Sequence, residues 1–228
     1  MGCGAPGSLN DRRVFLLELY GTLERAFGPM RWWPADTPFE VCIGAILTQN
    51  APWSGVVKAI RQLRGTGLFG VQAIADADEQ ALAEAIRPSI YYNQKARRLK
   101  TFCRFLLEEH GGVVERMGTL GCREARRNLL ALPGIGYETA DSILLYALGK
   151  PVFVVDAYTK RICARHGMIS GECGYEELRG YFEDALEPSA ELFNEFHALL
   201  CRLGAEYCRR KPRCEGCPAR ELLGDPVV

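Results

Sequence analysis

The chain of 228 residues carries no excess charge: 28 Lys+Arg stand against 28 Asp+Glu, so composition offers no global pull toward nucleic acid or an anionic membrane. It has no run approaching the roughly 20 consecutive apolar residues of a membrane span. Its first residues, MGCGAPGSLNDRR, lack the apolar core of a signal peptide. The expectation is a cytoplasmic protein with no membrane partner, nucleoid-associated if bacterial. Repeats, low-complexity tracts and flexible linkers are also missing, which excludes a fibrous or disordered chain. With 48% apolar and 25% charged residues it reads as an ordinary globular protein of one or two domains. Its ten cysteines, in a reducing compartment, read as thiols plus a metal site rather than as five disulfides.

Strand signals are nearly absent. The one β-like run, Val152 to Val155, lies between Pro151 and Asp156 and is too short and solitary to seed a sheet. Helical periodicity appears nearly everywhere else. Residues 11–27 carry an apolar stripe closed by Gly28-Pro29. In TPFEVCIGAIL, Thr37, Pro38 and Glu40 spell a capping box with proline at the first helical position. Further helices are predicted at 54–64, 79–86, 94–109 and 122–130, then at 137–148, 157–166, 175–186 and 190–206. The fold class is all-α.

The zero sum hides an uneven distribution of charge. Residues 95–104 hold Lys95, Arg97, Arg98, Lys100 and Arg104 with no acid, and the tail adds Arg209, Arg210, Lys211 and Arg213. Residues 172–195 are acidic, with Arg179 their one base. A single basic run reads as a solvated helix face; several beside an anion-binding motif read as a surface for DNA.

That motif is LPGIGYETADSILLYA, starting at Leu132 and Pro133. Gly134 and Gly136, on either side of Ile135, are expected to take backbone angles closed to other residues and to leave the next helix's first amides uncovered. Such amides suit a phosphate. A plain two-glycine turn between packed helices is the alternative, with Leu132 and Ile135 as its core anchors. Asp156 follows in VFVVDAYTKRI, where an Asp between an extended run and a helix is first an N-cap. The helix dipole favours a charged carboxylate there, and near a sugar that charge stabilises an oxocarbenium-like transition state and orients water.

LPGIG, then VVD at this separation, together with ILTQN at 46–50 and YYNQKA at 91–96, resembles the helix-hairpin-helix DNA glycosylases of the endonuclease III superfamily over roughly 37–217. The resemblance implies two helical domains, 37–150 with the hairpin and 1–36 plus 151–228 ending in a Cys-rich loop, with double-stranded DNA containing a damaged base in the cleft between them. It implies Asp156 as catalytic carboxylate; a monomer is the expectation for the chain. It also implies Lys95 at the DNA, and Gln49, with Asn50, entering the gap left by a flipped base; capping the helix that ends near Leu47 is the plainer role for Gln49. In the bifunctional enzymes the second residue after the hairpin is a Schiff-base lysine. Here it is Glu138, which cannot form that imine, so glycosylase action without strong lyase activity is expected.

All three tryptophans fall within 22 residues: Trp32 and Trp33, followed by Pro34, and Trp53. Tryptophan clusters are often core, but this one resembles the 3-methyladenine branch, in which aromatic residues at these positions stack on an alkylated purine. A cationic N-alkylated purine is attracted by each indole by about 0.5–2 kcal/mol and leaves without protonation. The same resemblance predicts a [4Fe-4S] cluster in the tail on Cys208, Cys214 and Cys217, with Leu223 where a fourth cysteine is expected. Cys201 is a fourth ligand only if its helix ends early, because on an unbroken helix it lies about 10 Å from Cys208. Zinc and an empty basic loop are the alternatives. Cys3, Cys42, Cys103, Cys122, Cys163 and Cys173 read as ordinary thiols.

The leading expectation is a base-excision enzyme for alkylated purines. An oxidised-pyrimidine glycosylase with lyase activity and a non-catalytic damage binder are the alternatives.

Overall fold

The computed structural model describes residues 8–170 and 172–226. Thirteen α-helices follow one another among these residues: α1 Leu9–Phe27, α2 Pro38–Leu47, α3 Trp53–Gly65, α4 Val71–Asp76, α5 Glu79–Ala85, α6 Tyr92–His110, α7 Val114–Met117, α8 Cys122–Leu130, α9 Tyr137–Ser142, α10 Ala157–Arg165, α11 Tyr175–Glu183, α12 Ala190–Glu206 and α13 Arg220–Leu223. No strand occurs among the described residues, and no helix is long and apolar enough to cross a membrane. The long helices answer to their periodicity. The short α4, α7 and α13 were not legible, because four to six residues hold too little of a 3.6-residue period. The helix expected at 137–148 keeps α geometry only to Ser142 and then widens into a π turn, Ile143–Ala147.

The chain divides into two units, Ala35–Lys150 and Met1–Pro34 with Pro151–Val228. The first is built around α2, buried from Glu40 to Leu47. Thr37 caps it as predicted, its Oγ1 accepting from Glu40 N at 3.2 Å. The other half of the capping box is diverted: Glu40 Oε2 accepts from Asp36 N at 2.9 Å and from the Arg64 guanidinium at 2.7 Å. A fixed cation outcompetes the return bond to the cap. α3 passes so close to the 3-10 turn Arg87–Ser89 that a Cβ at Gly55 would run into Pro88 O.

In the second unit α12 packs against α1 and α10. Gly204 lets α12 approach Tyr158 on α10 with no room for a side chain. The β-like run Val152–Val155 is fully buried and extended, and Phe153 stacks on Phe182 with ring centroids 4.0 Å apart. That buried segment anchors the residue that follows it, Asp156. Cys173, buried ahead of α11, is disulfide-bonded, where a thiol was expected. Cys3 lies outside the described residues.

Candidate active site

Asp156 occupies the N-cap of α10, and its Oδ1 accepts from Thr159 N at 2.7 Å. The cap predicted from sequence is therefore formed, and it aims the carboxylate. Oδ2 accepts the S–H of Cys201 at 3.4 Å. Cys201 Sγ lies 3.5 Å from His197 Nε2, which is 3.9 Å from Asp156 Oδ1. His197 and Cys201 sit one turn apart on α12, so both reach the Asp156 side chain, which is 13% exposed. Burial holds the His197 imidazole below its ordinary pKa, and Asp156 pulls the other way without prevailing. The ring is neutral near pH 7, and its contact with Asp156 is no ion pair.

This arrangement corrects the placement of Cys201 in the tail's metal set. α12 runs unbroken to Glu206, so Cys201 stays with Asp156 while Cys208 begins the loop beyond. His197 was missed altogether. Its one signal was the i, i+4 spacing to Cys201, which acquires meaning only when α10 packs beside it.

The hairpin lies in the other unit. Ile135 N donates to Leu132 O at 3.0 Å, and Gly134 has φ +84°, the left-handed region that glycine serves. Gly136 does not need that freedom: its φ of −93° is open to any residue. What Gly136 contributes is the absence of a capping side chain, which leaves the first amides of α9 uncovered. Ile135 is buried and so acts as an anchor rather than a DNA contact, whereas Pro133, Gly134 and Gly136 are exposed and Leu132 is half-buried. Arg126 on α8 grips α9 through a bidentate pair, Nε to Asp141 Oδ1 at 2.7 Å and Nη2 to Oδ2 at 3.0 Å, with Asp141 fully buried. Glu138 is exposed in the first turn of α9.

Two expected DNA contacts are employed inside the protein. Lys95 is 1% exposed, and its ammonium donates to Leu47 O at 2.7 Å and Ser89 O at 2.6 Å. It closes the C-terminus of α2 and is withdrawn from DNA, because an unmet helix carbonyl under α6 needs a buried donor. Burial, and then Arg98, push this amine down to about 8. Gln49 Nε2 donates to Gly134 O at 3.0 Å and Thr139 Oγ1 at 2.8 Å, and its Oε1 accepts from Arg98. Arg98 lies where a Cβ on Gly134 would fall. The Gln49 amide thus braces the hairpin and must exchange those bonds to enter a DNA gap. Asn50, exposed at φ +51°, is the residue that this loop presents.

Trp32 and Trp33 are both half-buried, with ring centroids 5.6 Å apart and planes tilted by 57°, and Pro34 after them is exposed. They belong to the unit of Asp156. Trp53, half-buried at the first position of α3, belongs to the hairpin unit, as does Glu138. No tryptophan is part of either core.

In the tail, Arg161 Nε donates to Cys208 O at 2.6 Å, and Arg165 donates to Arg209 O and, at 2.9 Å, to Arg210 O. These bonds from α10 shape a loop on which Arg210, Lys211 and Arg213 are exposed, while Arg209 turns back to Ala205 O at 2.7 Å. Cys208, Cys214 and Cys217 line one cavity of ≈ 20 Å³, and Leu223 stands on its wall where the fourth cysteine would be. His166 lines the same cavity, its Nδ1–H donating to Leu223 O at 3.2 Å, which leaves Nε2 as the lone-pair nitrogen. Among the described residues the three loop thiols do not gather within the 4.8 Å at which Asp156, His197 and Cys201 do. Zinc thiolates would stand about 3.8 Å apart, so the loop is not spaced for zinc.

Residues 43–188 match the family model of the HhH-GPD superfamily base excision DNA repair protein. A Methanocaldococcus jannaschii protein provisionally named as a DNA repair glycosylase is 42% identical over 208 residues, 91% of this chain and 94% of that one. Endonuclease III of Haemophilus influenzae is 32% identical over 82% of this chain and 83% of its own length. Among solved structures, the 3-methyladenine DNA glycosylase of H. pylori bound to 1,N6-ethenoadenine matches with a TM-score of 0.73 at 29% identity, covering 88% of this chain and 98% of that one. An endonuclease III–DNA covalent intermediate shares the fold, with a TM-score of 0.79 at 22% identity and 95% of each chain covered. Hairpin, capping aspartate and comparisons agree: the chain belongs to the HhH-GPD superfamily of base excision DNA repair proteins, with its two-domain all-α fold, and is a DNA glycosylase acting on N-glycosidic bonds.

Proposed function

We propose that this glycosylase excises alkylated, cationic purines from duplex DNA without a lyase step. The observation that carries the substrate class is the adjacent, half-buried pair Trp32–Trp33, two π-faces kept out of the core beside a proline. Indole faces attract an electron-poor, positively charged base more than a neutral one. A leaving group that is already cationic needs no general acid, and the His197 imidazole beside Asp156 is held neutral by burial, so it is not poised as one. Asp156 acts as the carboxylate that stabilises the sugar's developing positive charge and holds the attacking water. Glu138 stands where a Schiff-base lysine would be needed for strand cleavage. The relative from H. pylori, named for 3-methyladenine, supports the same class.

Release of free 3-methyladenine from methylated duplex tests this reading, with borohydride trapping beside it. Expected are base release and no trapped adduct. A covalent adduct with release of oxidised pyrimidines refutes it in favour of an endonuclease III-like activity. Tight binding to abasic DNA without any base release refutes it in favour of a damage binder.

For the tail, the donor set supports a [4Fe-4S] cluster on Cys208, Cys214 and Cys217 with His166 Nε2 in the fourth place. Bound there, the cluster would hold the basic loop in register for phosphates. Iron and sulfide near four equivalents each in anaerobically purified protein, falling together in His166→Ala, are the expected result. Contents well below one equivalent leave the tail a basic loop alone.

A further inference from the structure

Asp156, His197 and Cys201 form the one group of three ligand-bearing side chains whose donor atoms lie within 4.8 Å of one another among the described residues. Their spacing is that of a tripod. Cys201 Sγ to Asp156 Oδ2 is 3.4 Å, Sγ to His197 Nε2 is 3.5 Å, and Nε2 to Asp156 Oδ1 is 3.9 Å. Bond lengths of about 2.0–2.3 Å from oxygen, nitrogen and sulfur to zinc, set tetrahedrally, place such donors about 3.3–3.6 Å apart. The two measured distances to sulfur fall within this range; the third, measured to Oδ1, places the imidazole beside the same carboxylate whose other oxygen meets the sulfur.

We propose that these three residues bind a borderline-soft divalent cation, Zn²⁺, with the fourth coordination position open, and that the ion shuts off the carboxylate on which excision depends. The donor set mixes one thiolate, one imidazole and one carboxylate, a combination that zinc accepts and that magnesium and calcium, which take oxygen, do not. The site is preorganised. Asp156 is fixed by its cap bond to Thr159 N, which occupies Oδ1 and leaves Oδ2 for the metal. His197 and Cys201 are set by their i, i+4 placement on α12, and Gly204 draws α10 and α12 together. His197 is buried, while Asp156 and Cys201 are partly open, so an ion enters from their side and keeps water or an anion as its fourth ligand. Binding exchanges the Cys201 S–H bond for S–Zn and releases one proton to solvent, with no change in oxidation state. A carboxylate bonded to Zn²⁺ no longer offers its charge to a sugar cation.

Binding itself does not depend on the proposed function; the loss of excision does. Cobalt(II) added to the protein freed of loosely held metal reports the site directly. The wild type minus His197→Asn difference spectrum is expected to show tetrahedral d–d bands and a thiolate charge-transfer band that Cys201→Ser also loses, with one equivalent fewer bound in each variant and in Asp156→Asn. Zinc is expected to lower wild-type excision about tenfold or more, reversibly with chelator, and to leave each variant near its own zinc-free rate. Identical cobalt spectra and stoichiometry in wild type and all three variants overturn the proposal, since the loop cysteines would then account for all binding. Bands that depend on the three residues, in a protein that releases no base under any condition, uphold the metal site and sink the glycosylase mechanism instead.

Discussion

Replacing Asp156 by asparagine and by alanine separates its two jobs. Asparagine keeps an oxygen to accept from Thr159 N, the 2.7 Å cap bond, and removes only the charge. Alanine removes both. A cap of this kind contributes about 1 kcal/mol, so Asp156→Ala should melt about 2–4 °C lower while Asp156→Asn stays close to wild type. The chemical cost is larger. With a side chain only 13% exposed, an effective dielectric constant near 20 applies. A unit charge about 4 Å from the developing oxocarbenium is then worth about 4 kcal/mol. Losing it slows the step by about 10³-fold, in both variants alike. Single-turnover release of base from methylated duplex measures the rate, and anisotropy with abasic DNA checks that binding persists. An asparagine variant within about tenfold of wild type would show Asp156 to be a cap and nothing more.

Lys95→Met leaves Leu47 O and Ser89 O buried without their donor and should cost about 1–3 kcal/mol in urea unfolding. The amine sits near 8 in the folded chain against 10.5 unfolded, so between those values the unfolded chain holds more protons and wild-type stability rises with pH. The methionine variant should lack that rise; a rise of equal size would assign it to another group. Arg126→Leu strips the bidentate partner from buried Asp141 and should cost about 3–5 kcal/mol, read as a large fall in melting temperature. A change under 1 kcal/mol would mean that Asp141 is satisfied by its other contacts. Trp33→Ala should weaken excision of a cationic alkylpurine by roughly 2- to 30-fold and that of a neutral base by less. Equal losses for both would point to packing rather than charge recognition.

Much of the scaffold was written locally. Long helices declare themselves through a repeated apolar face, Thr37 and Asp156 through the chemistry of a cap, and the hairpin through a glycine that alone tolerates φ +84°. Each depends on residues within one or two turns, which a single sequence displays. The absence of excess charge belongs here too: it allowed a DNA enzyme whose cations are gathered in few places. What the chain order could not show is where a polar group spends its hydrogen bonds. Lys95 and Gln49 lie in segments that resemble DNA contacts, yet the first seals a helix end and the second braces the hairpin. Ser89 O, six residues from Lys95, is their one near partner; the others lie 48 to 90 residues away. Cys201 is close to Cys208 in sequence, but a continuous helix carries it away from the tail and packs it with His197 against Asp156. Sequence determined the long helices, the caps at Thr37 and Asp156, and the family. Tertiary packing alone decided which side chains share a site, because donor atoms meet across helices at distances that no spacing along the chain encodes.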